Sequence, residues 1–312
     1  MTAPAWKTWT ALSLVYVVWG STYLAIAFVV DGLPPLLTAA ARFALASALL
    51  AGWVLVRRGP AAFRASRRAW VNAAVVGLLL LLGGNGLVML AEDRDLPSGL
   101  AALLVAAVPL FVVALRFAAR DRPAPTTLRG VGLGFCGLAV LLLPGARPAG
   151  VPALAAGMVL LASGLWSVGS FLAGRWEMPG DGLVTVIGEM AGGAVGLLAT
   201  GLLIGEGAPS GHVPASAWWA FAYLVVLGSV VAFTAYSWLL GNAPLSQVST
   251  YAYVNPVVAV ALGAALNDED VTGVAVVGGL ITVVAVAVVV SEEGRRRYVP
   301  TERQGRLRSS AT

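Results

Sequence analysis

The 312-residue chain has one cysteine and one histidine, and charged residues make up only 11% of it. A lone cysteine excludes an internal disulfide. Cys136, set among Gly134, Phe135 and Gly137, reads as a small apolar packing residue. One Cys and one His cannot build a metal-ligand cluster. His212 falls in a loop between Gly211 and Pro214 and reads as solvated. Serine chemistry would need a base beside a nucleophile, and the stretch Ala162-Ser163-Gly164 has none in prospect. Paired intramembrane aspartates and a phosphate-cradling Gly-x-x-x-x-Gly-Lys motif are also missing, so ATP is not a direct energy source. No enzyme and no cofactor are expected. Basic residues exceed acidic ones by 20 to 15, which could suggest nucleic acid, but nineteen of the twenty are Arg and their placement says otherwise. No nucleic-acid partner is expected.

What the chain does have is apolar length. Hydrophobic residues make up 59% of it, well outside the range of soluble domains. Its charges cluster, leaving runs of about twenty residues nearly free of them, the length a helix needs to cross a bilayer. The expected fold class is an all-α integral membrane protein with ten transmembrane helices. The spans fall near 9–30, 35–56, 69–90, 98–118, 128–144, 152–174, 182–204, 216–239, 245–266 and 272–290. The first is too long for a signal-peptide core and is read as retained.

A shift of 147 residues lays Trp19 on Trp166, Pro97 on Pro244 and Pro109 on Pro256 without a gap. The chain therefore reads as two copies of one design. Five crossings per copy is an odd number, so the second copy enters from the opposite side. Inverted repeats of this kind are associated with secondary transporters. The expected division is 1–144 for the first five-helix repeat, 145–290 for the inverted second, and 291–312 for a basic, disordered tail. With the N-terminus inside, seventeen of the twenty basic residues lie on the inner side, against Arg94 and Arg147 outside and Arg42 within a span. Both termini are thus expected in the cytoplasm. Most tryptophans lie near span ends, as an interfacial belt requires. Trp19 and Trp166 lie near mid-span, and they are the pair the repeat relates.

Two charges also sit inside spans, Arg42 and Glu189, again 147 residues apart. A charge at the bilayer centre costs about 2.5–3.5 kcal/mol and is functional by default. Arg42 is either an anion anchor or a side chain snorkelling to the outer headgroups. Glu189 is either a cation or proton partner facing a cavity or a protonated acid held by backbone. A direct bridge between them requires both side chains to reach across about 10 Å of depth, a third of the hydrocarbon core. Trp19, Thr22, Tyr23 and Ile26 share one helix face, as do Ser163, Trp166 and Ser170. These faces either line a cavity or make interhelix contacts. Tyr251 and Asn255 continue a polar series from Gln247 at spacings of four, and Asn85 stands among Gly83, Gly84 and Gly86. Pro109 and Pro256 each remove a backbone hydrogen bond, either marking a site or kinking a helix. Pro97 and Pro244 are read as helix starts. The Gly188, Gly192 and Gly196 series and the Gly130/Gly134 pair are read as close helix packing.

The segment Val18-Trp19-Gly20-Ser21-Thr22-Tyr23, followed by Pro34-Pro35 and Ala41-Arg42-Phe43, resembles the opening of EamA-type transporters of the drug/metabolite transporter superfamily. Pro97-Ser98-Gly99 with Val108-Pro109-Leu110, and Asn255-Pro256-Val257 with Gly278-Gly279-Leu280, are similar to that family's later spans. The second half departs from the pattern, offering Trp166-Ser167-Val168-Gly169-Ser170 in place of Trp-Gly-Ser-Thr. The resemblance implies a secondary transporter in the bacterial cytoplasmic membrane, exporting a small metabolite through a central cavity. The candidate cavity set, Trp19, Thr22, Tyr23, Arg42, Asn85, Trp166, Ser170, Glu189, Tyr251 and Asn255, suits an amphipathic solute such as an amino acid or a drug-like molecule. The expected partners are the lipid bilayer and that small-molecule substrate, with proton coupling or solute exchange as the energy source. Uptake, exchange, or a channel or scaffold without turnover are the alternatives.

Overall fold

A computed structural model describes residues 5–120, 125–142, 152–209, 211–242, 251–268 and 271–297. Among them there is no strand; the chain is helical throughout. The helices are α1 (Ala5–Val30), α2 (Pro35–Arg58), α3 (Arg67–Glu92), α4 (Ser98–Ala118), α5 (Pro125–Leu142), α6 (Ala153–Ala173), α7 (Gly182–Leu203), α8 (215–242), α9 (Tyr251–Leu266) and α10 (Gly273–Arg297). Seven helices in the described residues are long and apolar enough to cross a membrane, and shorter apolar helices follow in α9 and α10. The fold is that of a polytopic membrane protein built from two five-helix repeats.

Helix ends follow local chemistry. Proline opens α2 at its first turn, and Pro97, Pro152 and Pro214 directly precede α4, α6 and α8. Ser66 caps α3 by accepting from the Ala69 N–H, and Asp181 caps α7 by accepting from that of Leu183. Gly59 ends α2 at φ 74°, a conformation that would strain any residue with a Cβ. The last helix continues seven residues beyond the span end expected at 290. Glu292 and Glu293 precede Arg296 and Arg297 by four residues, a spacing that favours helix. The rest of the expected tail, and the stretch 243–250 with Pro244 and Gln247, lie outside the described residues.

Three helices are irregular where they cross the middle of the bundle. In α3 a π-helical stretch runs Leu78–Gly86, and in α8 another runs Leu224–Val231. The 147-residue shift superposes them to within two residues. In α4 the helix breaks after Val105 and restarts at Val108, with Pro109 in the new first turn. Pro109 thus marks a break rather than the simple kink that is one of its sequence readings. Its repeat partner Pro256 stays inside α9.

The halves interlock. Helix α1 packs on α8 and α9 of the other repeat, α6 packs on α3 and α4, and α2 pairs with α7 as α5 does with α10. Two buried apolar regions result, one formed mainly by α1, α2, α3, α7 and α8, the other mainly by α4 and α6. Tyr251 packs against both. Outward faces are apolar as well, with Val56, Leu203 and Trp219 almost fully exposed, as lipid contact demands. Cys136 is exposed on such a face rather than packed inside as its neighbours suggested; it is Gly134 and Gly137 that face Leu110 of α4 and Thr282 of α10.

Candidate functional site

The 3.6-residue period of α1 carries Trp19, Thr22, Tyr23 and Ile26 down one side, and that side opens on a cavity of about 820 Å³, its mouth included. Its other walls are Arg42 from α2, Gly84, Asn85 and Val88 from α3, and the residues around the α4 break. Ser163 and Trp166 of α6, Phe233 of α8, and Tyr251, Asn255 and Pro256 of α9 complete it. Both repeats contribute to its walls.

Trp19 is buried and held from four directions. Its indole N–H donates to the Gly228 carbonyl at 3.3 Å, and its ring meets Tyr236 at 4.9 Å, Phe233 at 5.3 Å and Tyr251 at 5.4 Å. Tyr236 and Tyr251 meet each other edge to face, their ring centroids 5.9 Å apart. Trp166, across the cavity, comes close because Gly84 lacks a side chain: a Cβ there would lie 2.7 Å from the indole ring. The hydroxyls are mostly used locally. Thr22 donates to the Trp19 carbonyl at 2.7 Å, and Ser163 to the Val159 carbonyl at 2.9 Å. Ser167 donates to the Ser163 carbonyl at 2.7 Å, and Ser163 and Ser167 also face the Leu104 and Val108 carbonyls at 3.4 and 3.1 Å, where α6 meets the broken α4. Asn255 is buried and its amide nitrogen donates to the carbonyls of Tyr251 and Tyr16, 3.2 Å from each, in the orientation that satisfies both.

Among the described residues Arg42 is the one charge in the cavity wall, and only 3% of it is exposed. Its Nε donates to Ser229 at 2.9 Å and Nη1 to the Asn85 side chain at 3.4 Å, while the guanidinium lies 4.7 Å from the Phe43 ring. Both hydrogen-bond partners sit in the two π-helical stretches. The side chain points into the bundle and does not snorkel.

Of the ten residues expected at the cavity, eight line it. Ser170 and Glu189 do not. Ser170 lies one turn along from Trp166 and donates to that residue's carbonyl at 2.8 Å. Glu189 packs its backbone against Gly77 and lies within electrostatic range of Tyr236, behind the cavity wall. No bridge joins it to Arg42: among the described residues the ion pairs are Arg58–Asp181 and Arg94–Asp93. An arginine side chain is long enough to reach the cavity from α2, and a glutamate at the equivalent place on α7 falls short. Sequence reasoning missed Ser229, Phe233 and Tyr236. Their spacing of four and three did place them on one face of α8, but that helix is apolar on every side.

A helical bundle with a polar and aromatic chamber at mid-span, walled by both inverted repeats, defines a membrane transporter. The EamA-like transporter family matches residues 7–143 and again 153–291, and the chain belongs to it. An inner membrane transporter of Escherichia coli (strain K12), YedA, whose function is uncharacterized, is 36% identical over 263 residues, 84% of this chain and 83% of its own. A probable amino-acid metabolite efflux pump of the same organism is 24% identical over 279 residues, 86% of this chain and 89% of its own. A crystal structure 22% identical in sequence matches with a TM-score of 0.65, covering 95% of this chain and 100% of that one, and shows the same fold. The protein is a multi-pass membrane transporter and not an enzyme.

Proposed function

We propose that the chain is a secondary transporter exporting a small amphipathic metabolite across the bacterial cytoplasmic membrane by alternating access. The observation that carries this is the chamber itself, where one buried cation, an amide and an aromatic wall meet beside interrupted helices. Broken and π-helical backbone at membrane depth is tolerated where it lines a cavity, and such helices mark transporter sites. The direction draws on the relative named as a probable metabolite efflux pump. The distribution of basic residues supports cytoplasmic termini.

Coupling is assigned to a proton carried by Glu189. Its electrostatic interaction with Tyr236, whose ring meets those of Trp19 and Tyr251, relates it to the cavity wall without placing it in contact with substrate. The test compares compounds released into the medium by cells with wild type, Arg42→Ala or empty vector at equal membrane levels. One compound class released by wild type alone is the expected result. Equal release by wild type and the variant, above the vector, would reduce Arg42 to a structural part. Accumulation inside wild-type cells would reverse the direction.

A further inference from the structure

The cavity wall holds a cation and no anion. None of the described residues lining it is Asp or Glu, and segment 243–250, which leads into α9, contains no acidic residue either. Arg42 is buried, its two hydrogen-bond acceptors are neutral, and they use two of the five N–H donors a guanidinium carries. Buried guanidinium groups ordinarily meet a carboxylate or phosphate, which their planar fork matches in two-point contact. Here neither is supplied by the neighbouring helices. An ammonium group fares worse. It would enter beside Arg42 and find no carboxylate, and the Trp19 ring is already packed by Phe233, Tyr236 and Tyr251.

From this we infer that the transported solute is a small organic carboxylate with an apolar body and no compensating positive charge, and that Arg42 is the specificity-determining residue that receives its carboxylate. The inference rests on the transport reading above and narrows it: zwitterionic amino acids and cationic drugs are poor cargo, and the deaminated or hydroxy-acid relatives of aromatic and branched amino acids are good ones. Like-charge repulsion from Arg42 in a water-poor cavity rejects amines, and the missing partner for an ammonium disfavours zwitterions.

Three ring-matched probes differing only in head-group charge test it: 3-phenylpropanoate, phenylalanine and phenethylamine. Each is measured for binding to the purified full chain by tryptophan fluorescence, and for counterflow in proteoliposomes. The anion is expected to bind about tenfold or more tightly than the zwitterion, with no detectable binding of the amine. Arg42→Lys should keep part of this preference and Arg42→Gln should abolish it, each read beside a melting curve. The wild-type ladder alone decides the matter should a variant fail to fold. Equal or tighter binding of phenylalanine or phenethylamine, or no binding of any probe, overturns the carboxylate assignment. Counterflow of one of the other two classes would do so while leaving transport intact. Absence of counterflow and of metabolite release alike would remove the transport reading itself.

Discussion

Two of the Arg42 donors are taken by neutral side chains, and the cost of losing either partner is set by what it leaves buried. Ser229 is fully buried and accepts from Nε. Ser229→Ala removes that acceptor and leaves a charged donor without a partner, which costs about 1–3 kcal/mol. The expected result is a lower melting temperature and weakened substrate binding, measured on the detergent-purified chain, with Ser229→Thr close to wild type. Trp19 gives a graded pair. Trp19→Phe keeps a ring against Tyr236 and Tyr251 but drops the bond to Gly228, about 0.5–1.5 kcal/mol, whereas Trp19→Ala empties the cluster at about 3–5 kcal/mol. Denaturation of both variants should show that order, and equal losses would mean that the ring cluster is not what holds the residue. Much of this chemistry was legible in the sequence, because Trp19, Trp166 and Arg42 are rare residue types at mid-span depth. What was not legible is which of them meet. Arg42 and Glu189 are equivalent by the repeat, yet side-chain length puts one in the cavity wall and leaves the other behind it.

Most helices were legible to within a few residues, the last running seven residues past its expected end, because the apolar runs and the prolines before them leave few choices. Their irregularities were not. A π-helical stretch needs no special residue type, and the Gly-rich run Gly83–Gly86 reads equally well as packing or hinge. The close crossings rest on particular glycines. A Cβ on Gly77 would lie 1.9 Å from the Glu189 carbonyl oxygen, and one on Gly192 would lie 2.6 Å from the Ala74 Cα, so α3 and α7 touch backbone to backbone. The Gly188–Gly192–Gly196 series therefore does pack, against Trp70, Ala73, Ala74 and Leu78. Gly77→Ala forces the helices apart and should destabilise by about 1–3 kcal/mol, the ordinary cost of overpacking. Gly52→Ala, at a place with open space around it, should be neutral or stabilise by up to about 1 kcal/mol through helix propensity. Thermal unfolding of the two variants side by side checks the contrast. Similar losses in both would mean that helix formation, not interhelix approach, governs these positions.

At the scale of the whole molecule, the repeat is visible in sequence but the way the repeats embrace is not. Five helices followed by five suggests two lobes that rock, yet α1 lies on α8 and α9, and α6 on α3 and α4. Moving the sequence halves as rigid bodies would tear the cavity wall apart. The α2–α7 pair is held along its whole length instead. At one end Arg58 pairs with Asp181, in the middle Ser47 donates to the Ile187 carbonyl at 3.1 Å, and at the other end Glu206 accepts from the N–H groups of Leu36 and Leu37 at 3.1 and 2.8 Å. A pair that parted to open one side would give up the ties at that end, and any of these groups left buried without a partner would be costly. The interrupted helices α3, α4 and α8 surround the chamber, where a small change in backbone can move a wall. The expected behaviour is that α2 and α7 stay together as a spine while the irregular helices move. In a Cys136→Ser background, cysteines at positions 58 and 181 joined by a short bis-maleimide should leave most of the transport rate intact. Loss of transport on cross-linking, with no loss in the unlinked double variant, would show that α2 and α7 separate during the cycle and that the spine is misplaced.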